Sequence, residues 1–519
     1  MKKAIYLIIA LIGLSAPSCS DSMLDFSPTD SGSGKELLKS ASTAITSVNG
    51  VYRSMWTAGW STTANTHQCF GIAAYNLALD CMADDLIMQS QGNGWFWGDH
   101  CYNVKSNYTS SAFRSYDVWY ANYKWIANVN YIIDAEPEMA GTEADVAYVA
   151  GQAYAIRALC YLNLATWFSR APYNSLTGAS RWNEPCVPVY TTGTSIDTGG
   201  QPRESLRTVY GRIDQDIDRA IELLEKARET TLAENNKSHI NLYVALGIKS
   251  RACLAEGDWD GAFKAAKRVI DEGGYAVGTK SDLTGGMNSL DKQNVMWGAG
   301  IQVADQAGGY AGFFTHMDNK EGDYAKSAPK LISKQLYNRI SATDIRRDWW
   351  DPSDKESPYV SKKFSFANVA SFLGDYIYMR VEEMYFTAAE AALRLDDLKS
   401  ARELMNTVMA ERDPGYSANN RSGTLLGATT TTWTGSFLEN ILTHRRIELW
   451  GEYGRLFDVR RLGQGIDRRT DDGFSEECIS MMNRRNVNIT KADTYDWVLT
   501  IPKAELDANP NINEEDQNP

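Results

Sequence analysis

Histidine is scarce in this chain, with five among 519 residues, and no two of them form an HExxH pair. That removes the usual zinc-protease signature. No Gly-x-Ser-x-Gly elbow occurs either, so the turn that presents a hydrolase serine is missing. The glycine-rich stretch 273–281 puts Thr279 after Gly278, where a phosphate loop requires lysine. Asp84 and Asp85 are adjacent in sequence, whereas glycosidase carboxylates must face each other across a bond, about 5–9 Å apart. The stretch Asp258-Trp259-Asp260-Gly261 is only faintly like a calcium loop and reads better as a turn between helices. No catalytic residue, cofactor or metal site is therefore expected.

Positive charge is also short. The net charge of −13 leaves no basic footprint for nucleic acid. The eight cysteines include no CxxC and no regular spacing, so neither a zinc site nor a disulfide framework is indicated. A pairing among Cys69, Cys81 and Cys101, which are close in sequence, stays open. Long apolar runs are missing outside the N-terminus. There, Lys2 and Lys3 precede an apolar stretch at 4–16, shorter than the roughly 20 residues that span a bilayer. Cys19 follows Ala16-Pro17-Ser18, where cleavage of a signal peptide would fall. In a bacterium this spacing suits a lipoprotein signal over 1–18, with Cys19 lipidated and a small, polar tether over 19–34. Under ordinary secretion Cys19 would be incidental.

What is present is helical and aromatic. Hydrophobic residues make up 43% and charged residues 23%, a globular balance. Nearly every position over 242–255 is apolar or small, and Glu256-Gly257-Asp258 then breaks the run. Ala262, Ala265, Ala266, Val269 and Ile270 follow at helical spacing. The pair has the length and chemistry of a tetratricopeptide hairpin. A second pair surrounds Asp396-Asp397, a third joins 153–165 to 206–224, and a fourth joins 44–52 to 118–133. One such hairpin cannot bury its own faces, so about three or more should stack. Between them lie irregular regions at about 56–115, 170–203 and 273–382, and a Gly/Thr/Ser-rich loop at 414–435.

Aromatics are abundant, with 15 Trp and 27 Tyr, and Trp at this level exceeds what a helical core normally needs: the first reading is a large core of big residues, the second that some Trp lie exposed as ligand platforms. The sharpest candidate is the loop holding Trp95, Phe96 and Trp97 between glycines. A sugar ring has an apolar face for an aromatic ring and a rim of hydroxyls for polar groups. Trp95, Phe96 and Trp97 would supply the platform, and Gln91, Asn93, Asp99 and His100 the rim. Tyr310, Phe313 and Phe314 would form an opposite wall, with Trp56 and Trp60 assigned to the core. The plainer alternative is that these aromatics pack the insertion onto the scaffold. The charged run Arg445, Arg446, Glu448, Glu452, Arg455, Asp458, Arg460 and Arg461 alternates sign at helical spacing, which predicts ion pairs rather than a binding site.

Six stretches in order resemble the SusD/RagB family of Bacteroidetes outer-membrane lipoproteins. They are Cys19-Ser20-Asp21 through Pro28-Thr29; Trp119, Tyr123, Ile126 and Asn130; Arg157-Ala158 with Tyr161; and Tyr385 with Ala389-Glu390-Ala391. The others are Arg445-Arg446-Ile447-Glu448-Leu449 through Arg455-Leu456-Phe457-Asp458 and Arg460-Arg461-Leu462-Gly463, and the ending from Ile501-Pro502 through Asn509-Pro510-Asn511 to Gln517-Asn518-Pro519. The resemblance implies a mainly α fold over 35–519, with about four tetratricopeptide-like hairpins under a loop-rich variable region. It implies a non-enzymatic lid, anchored on the cell surface, over a SusC-type TonB-dependent transporter in the outer membrane. Such lids capture glycans for import or, in RagB-like members, peptides; an inert sealing subunit is the third reading.

Overall fold

The helix most plainly marked in the sequence begins where Asn241 accepts hydrogen bonds from the amides of Tyr243 and Val244, at 2.9 and 3.0 Å. This is the usual way an asparagine satisfies orphan donors at a helix start. In the computed structural model, which describes residues 34–57, 66–102, 113–195, 197–233, 237–302, 311–492 and 494–519, this helix spans Leu242–Glu256. Gly257 ends it with a left-handed backbone, φ 77°. A Cβ there would also stand 2.5 Å from the ring of Tyr173. Asp258 caps the next helix, accepting from the Gly261 amide at 3.0 Å.

The main helices in chain order are α1 (Ala41–Ser54), α2 (Ile72–Met82), α3 (Phe113–Ala135), α4 (Glu143–Phe168), α5 (Leu206–Lys226), α6 (Leu242–Glu256) and α7 (Trp259–Glu272). They continue with α8 (Val381–Arg394), α9 (Leu398–Ala410), α10 (Phe437–Glu448), α11 (Arg455–Leu462) and α12 (Glu476–Arg484). From α3 to α9 each helix packs on the next, and α1 lies against α3 and α4. The four helix pairs expected from the sequence are thus in contact. Small residues allow the close approach: Ala262 and Ala266 of α7 and Ala388, Ala389 and Ala392 of α8 are fully buried.

Two short sheets lie outside this stack. One runs β1 (Leu86–Met88), β3 (Lys330–Ile332), β5 (Val360–Ser361) and β4 (Trp350–Asp351), all antiparallel. The other pairs β2 (Val295–Ala299) with β6 (Tyr376–Arg380). The stretch 56–115, expected to be irregular, also contains α2, buried at every position but Asn76. A short helix covered on all sides shows no apolar stripe, so periodicity does not reveal it.

The charged run forms ion pairs, and they are internal, except that Arg460 donates instead to the Thr166 and Ser169 carbonyls. Glu448 receives Arg412 at 2.9 Å, Arg380 at 3.0 Å and Arg346 at 3.1 Å, all four side chains being fully buried. Arg380 also reaches Glu452 at 2.7 Å. Nearby, Arg445 pairs with Asp458 at 2.7 Å and Arg461 with Glu390 at 2.8 Å. Arg446 and Arg455 each hold both Asp84 and Asp85. Burial opposes ionisation of Glu448, but Arg412, Arg380 and Arg346 together hold its carboxyl well below the usual carboxylate range. A depressed folded pKa contributes stability above the unfolded value, about pH 4, which is lost as pH falls toward the folded value. Glu448→Gln should therefore cost about 3–5 kcal/mol at pH 7, because it leaves buried guanidinium charge uncompensated. Urea unfolding should show that deficit shrinking below about pH 4. A variant matching the wild type at pH 7 would refute this role.

Candidate functional site

β1 is wholly buried and runs antiparallel to β3, with Met88 opposite Lys330. The chain therefore leaves the sheet beside the segment that leads into β3. Gly92, at φ 50°, fits there because a Cβ would stand 2.6 Å from the Ser327 carbonyl and 2.8 Å from the Ala328 side chain. Ser327 Oγ donates to Asn93 Oδ1 at 3.1 Å. Phe96 takes a left-handed backbone, φ 61°, and its amide donates to Gln68 Oε1 at 2.8 Å. A single helical turn, Trp97–His100, follows.

This geometry corrects most of the expected platform. Phe96 is fully buried, with its ring 4.9 Å from His316 and the Arg114 guanidinium 5.3 Å over its face. Trp97 is 3% exposed and packs on His100. Asp99 is not a rim group, because Arg114 grips it through two hydrogen bonds at 2.8 and 3.0 Å in the interior. His100 is buried against Phe474, ring on ring at 5.6 Å. A helical turn rotates successive side chains by about 100°, and a buried guanidinium is costly unless it is paired, as Arg114 is by Asp99. Together these turn the second half of the loop inward. Phe313 and Phe314 are also core residues, packed against Tyr376, so they do not form a wall. Trp56 is half-buried rather than core. Tyr310, Trp60 and Cys19 lie outside the described residues.

What remains at the surface is Trp95, half-buried, with exposed Gln91 and Asn93. The indole stacks on His67 at 5.0 Å and meets the edge of Tyr324 at 6.1 Å. His67 Nδ1 and the Tyr324 hydroxyl are 2.6 Å apart, and His316 Nε2 donates to the His67 carbonyl at 2.6 Å. Burial, with Lys330 nearby, drives the His316 pKa well below its ordinary value, so the ring is neutral. The sequence reading missed His67 and Tyr324, since nothing local signals a partner some 257 residues away.

The segment beside the loop also forms one wall of a cavity of about 840 Å³, opposite residues 351–369. Its lining mixes Asn319, Lys326, Asp351 and Asp354 with Phe364 and Phe366. Asp318 ties the two walls: Oδ1 accepts from the amides of Lys320 and Glu321, and Oδ2 from that of Phe366, each at 3.0 Å. Hydrogen bonds from Ser353 lower the Asp351 pKa. Asp84 and Asp85, by contrast, are occupied by arginine in the interior. The surface therefore offers a fixed aromatic ring on a loop whose neighbouring segment walls a hollow of mixed polar and apolar lining. All seven cysteines among the described residues are buried and free.

Asp99→Ala should cost about 3–5 kcal/mol by leaving Arg114 buried and unpaired. Asp99→Ala/Arg114→Met should recover part of that loss in a urea double-mutant cycle. A single variant as stable as the wild type would show that the pair does not fix the loop.

Two family models match separate parts of the chain. The SusD family model matches residues 320–519, and a model described as "Starch-binding associating with outer membrane" matches residues 43–254. No curated protein matches the chain. Among solved structures, a SusD-like carbohydrate binding protein from Bacteroides vulgatus is 25% identical with a TM-score of 0.73, covering 92% of this chain and 98% of its own. A SusD superfamily protein from Bacteroides thetaiotaomicron is 22% identical with a TM-score of 0.72, covering 92% and 100%. Surface glycan-binding protein A from the same species, in complex with laminarihexaose, is 15% identical with a TM-score of 0.65, covering 92% and 99%.

Proposed function

We propose that this chain, which belongs to the SusD family, is a surface lipoprotein that captures a neutral glycan at Trp95 and passes it to a SusC-type transporter. The observation that carries the reading is the half-buried indole of Trp95, stacked on His67 and edged by Tyr324, on a loop that touches the segment walling a cavity of about 840 Å³. A pyranose ring stacks its C–H face on such an indole, and its hydroxyls need donors and acceptors close by. Asn93 and Gln91 supply amides, while Phe96, Trp97 and Asp99 hold the loop from beneath. Two findings support a neutral glycan as ligand: the starch-binding description of one family model and the laminarihexaose bound by a structural neighbour. The work assigned to the site is capture and release, with no bond made or broken.

Calorimetry on mature protein beginning after Cys19, against laminarihexaose, maltohexaose and plant and host oligosaccharides, tests this. Saturable heat should come with one glycan class and weaken about ten-fold or more in a folded Trp95→Ala variant. Equal binding by that variant would move the site, and silence across the panel would overturn glycan capture.

The family-model description places its members at the outer membrane. No helix among the described residues is long and apolar enough to cross a membrane. Attachment is assigned to lipid on Cys19. Cys19→Ala should shift the protein from the membrane to the soluble fraction of the producing cells, and continued attachment would refute the anchor.

A further inference from the structure

A second hollow, about 500 Å³, lies along α3 and shares no lining residue with the cavity near the Trp95 loop. That volume falls within the range of small-ligand sites, about 300–1,000 Å³. Its aromatic lining is Trp119, Tyr120, Tyr123 and Tyr190. Tyr116 and Tyr131, outside the lining, continue the row of half-buried or exposed tyrosines along the same helix face. The outer face of a scaffold helix usually carries charged side chains, so a row of tyrosines there calls for another account.

These rings are fixed from behind. Tyr116 and Tyr120 stack at 5.6 Å, and Trp119 meets Tyr123 at 4.9 Å. Tyr123 stands at 90° to Tyr190. Tyr123 donates its hydroxyl proton to the Pro188 carbonyl at 2.7 Å, and Trp119 Nε1 donates to Glu505 Oε2 at 3.2 Å. The Tyr190 hydroxyl accepts from the Gln201 amide at 3.0 Å. Thr194, Ser195, Thr198 and Glu505 also line the groove; the Thr198 and Ser195 hydroxyls accept from the Ser195 and Asp197 amides and keep their own protons to donate, and Lys124 Nζ lies 5.5 Å over the Tyr120 ring.

We propose that this groove is a second carbohydrate site, taking a short neutral saccharide against Tyr123 and Tyr120, where it displaces the Lys124 ammonium from the Tyr120 ring, and hydrogen-bonded by Ser195, Thr198 and Glu505. Aromatic faces alongside hydroxyl donors and acceptors, with charges that cancel, match a pyranose better than an ionic ligand. The ligand class rests on the glycan reading of the Trp95 site. Two separate contacts on one chain would hold a polysaccharide longer than either alone.

The test is 19F NMR of the mature chain labelled with 3-fluorotyrosine, with Tyr120 and Tyr123 assigned by Tyr→Phe variants. Maltotriose, laminaritriose and xylotriose serve as probes up to millimolar concentration. One of them should shift both resonances saturably in the wild type and equally in Trp95→Ala. Ser195→Trp, placed on an exposed loop to fill the groove without touching the core, should weaken that response about ten-fold or more while binding at Trp95 persists. Silent resonances alongside intact Trp95-dependent binding would overturn this inference alone. Shifts that vanish in Trp95→Ala would assign the response to the first site and overturn it too. Absence of binding at both sites would overturn the glycan reading along with it.

Discussion

A single buried carboxylate, that of Glu448, joins three segments of the C-terminal half of the chain. It sits at the end of α10 and receives guanidinium groups from Arg346, Arg380 and Arg412, which lie in three separate stretches of the chain. Arg380 closes β6, Arg412 follows α9, and Arg346 lies in the short helical turn between β3 and β4. Burying so much charge gives little net stability compared with an apolar replacement, but it severely penalises any arrangement that leaves a member unpaired. Geometry, more than energy, is what such a network contributes. Two residues earlier on α10, Arg446 binds Asp84 and Asp85. A separation of two residues is about 200° around a helix, so α10 has one side in the Glu448 network and the other against the end of α2.

That second side governs the candidate site. Asp84 and Asp85 directly precede β1, and β1 delivers the loop carrying Trp95. On the far side of the loop, Asp99 is locked to Arg114 at the start of α3. Trp95 is thus strung between two buried ion-pair anchors, with Phe96 and Trp97 packed underneath. A ring held this way loses little freedom when a ligand stacks on it, and binding is stronger for a platform already in place.

The helical scaffold was legible because its signals are local. Gly257 and Asp258 mark a helix end and the next start by their own chemistry, and the alanine stripes of α7 and α8 repeat at the helical period. The charged run was legible as ion pairs, though not which partners it would find, since Glu390 and Asp84 come from distant segments. At the candidate site the sequence marked the right loop and misjudged its orientation. Whether Phe96 and Trp97 face inward depends on Arg114 and His316, and nothing in residues 89–100 carries that information. The tyrosines of α3 were visible as part of a helix. Their placement in one groove with Ser195 and Thr198 depends on how the 170–203 insertion folds back over it.

The charge distribution links scaffold to ligand. Many arginines are withdrawn into the interior, among them Arg114, Arg157, Arg251, Arg346, Arg380, Arg412, Arg445 and Arg461. Each is matched there by a carboxylate, so the core is close to neutral and the excess of −13 must be carried elsewhere. Such an exterior repels polyanions over a Debye length of about 8–10 Å at moderate salt. A neutral glycan experiences no such penalty, and stacking on Trp95 requires no counter-charge. The cavity near the Trp95 loop is itself acidic on balance, with five carboxylates in its lining against Lys320, Lys326 and Lys362. A protein that uses its guanidinium groups to hold its own segments together is left with aromatic faces and amides for recognition, and those are the groups a neutral sugar needs.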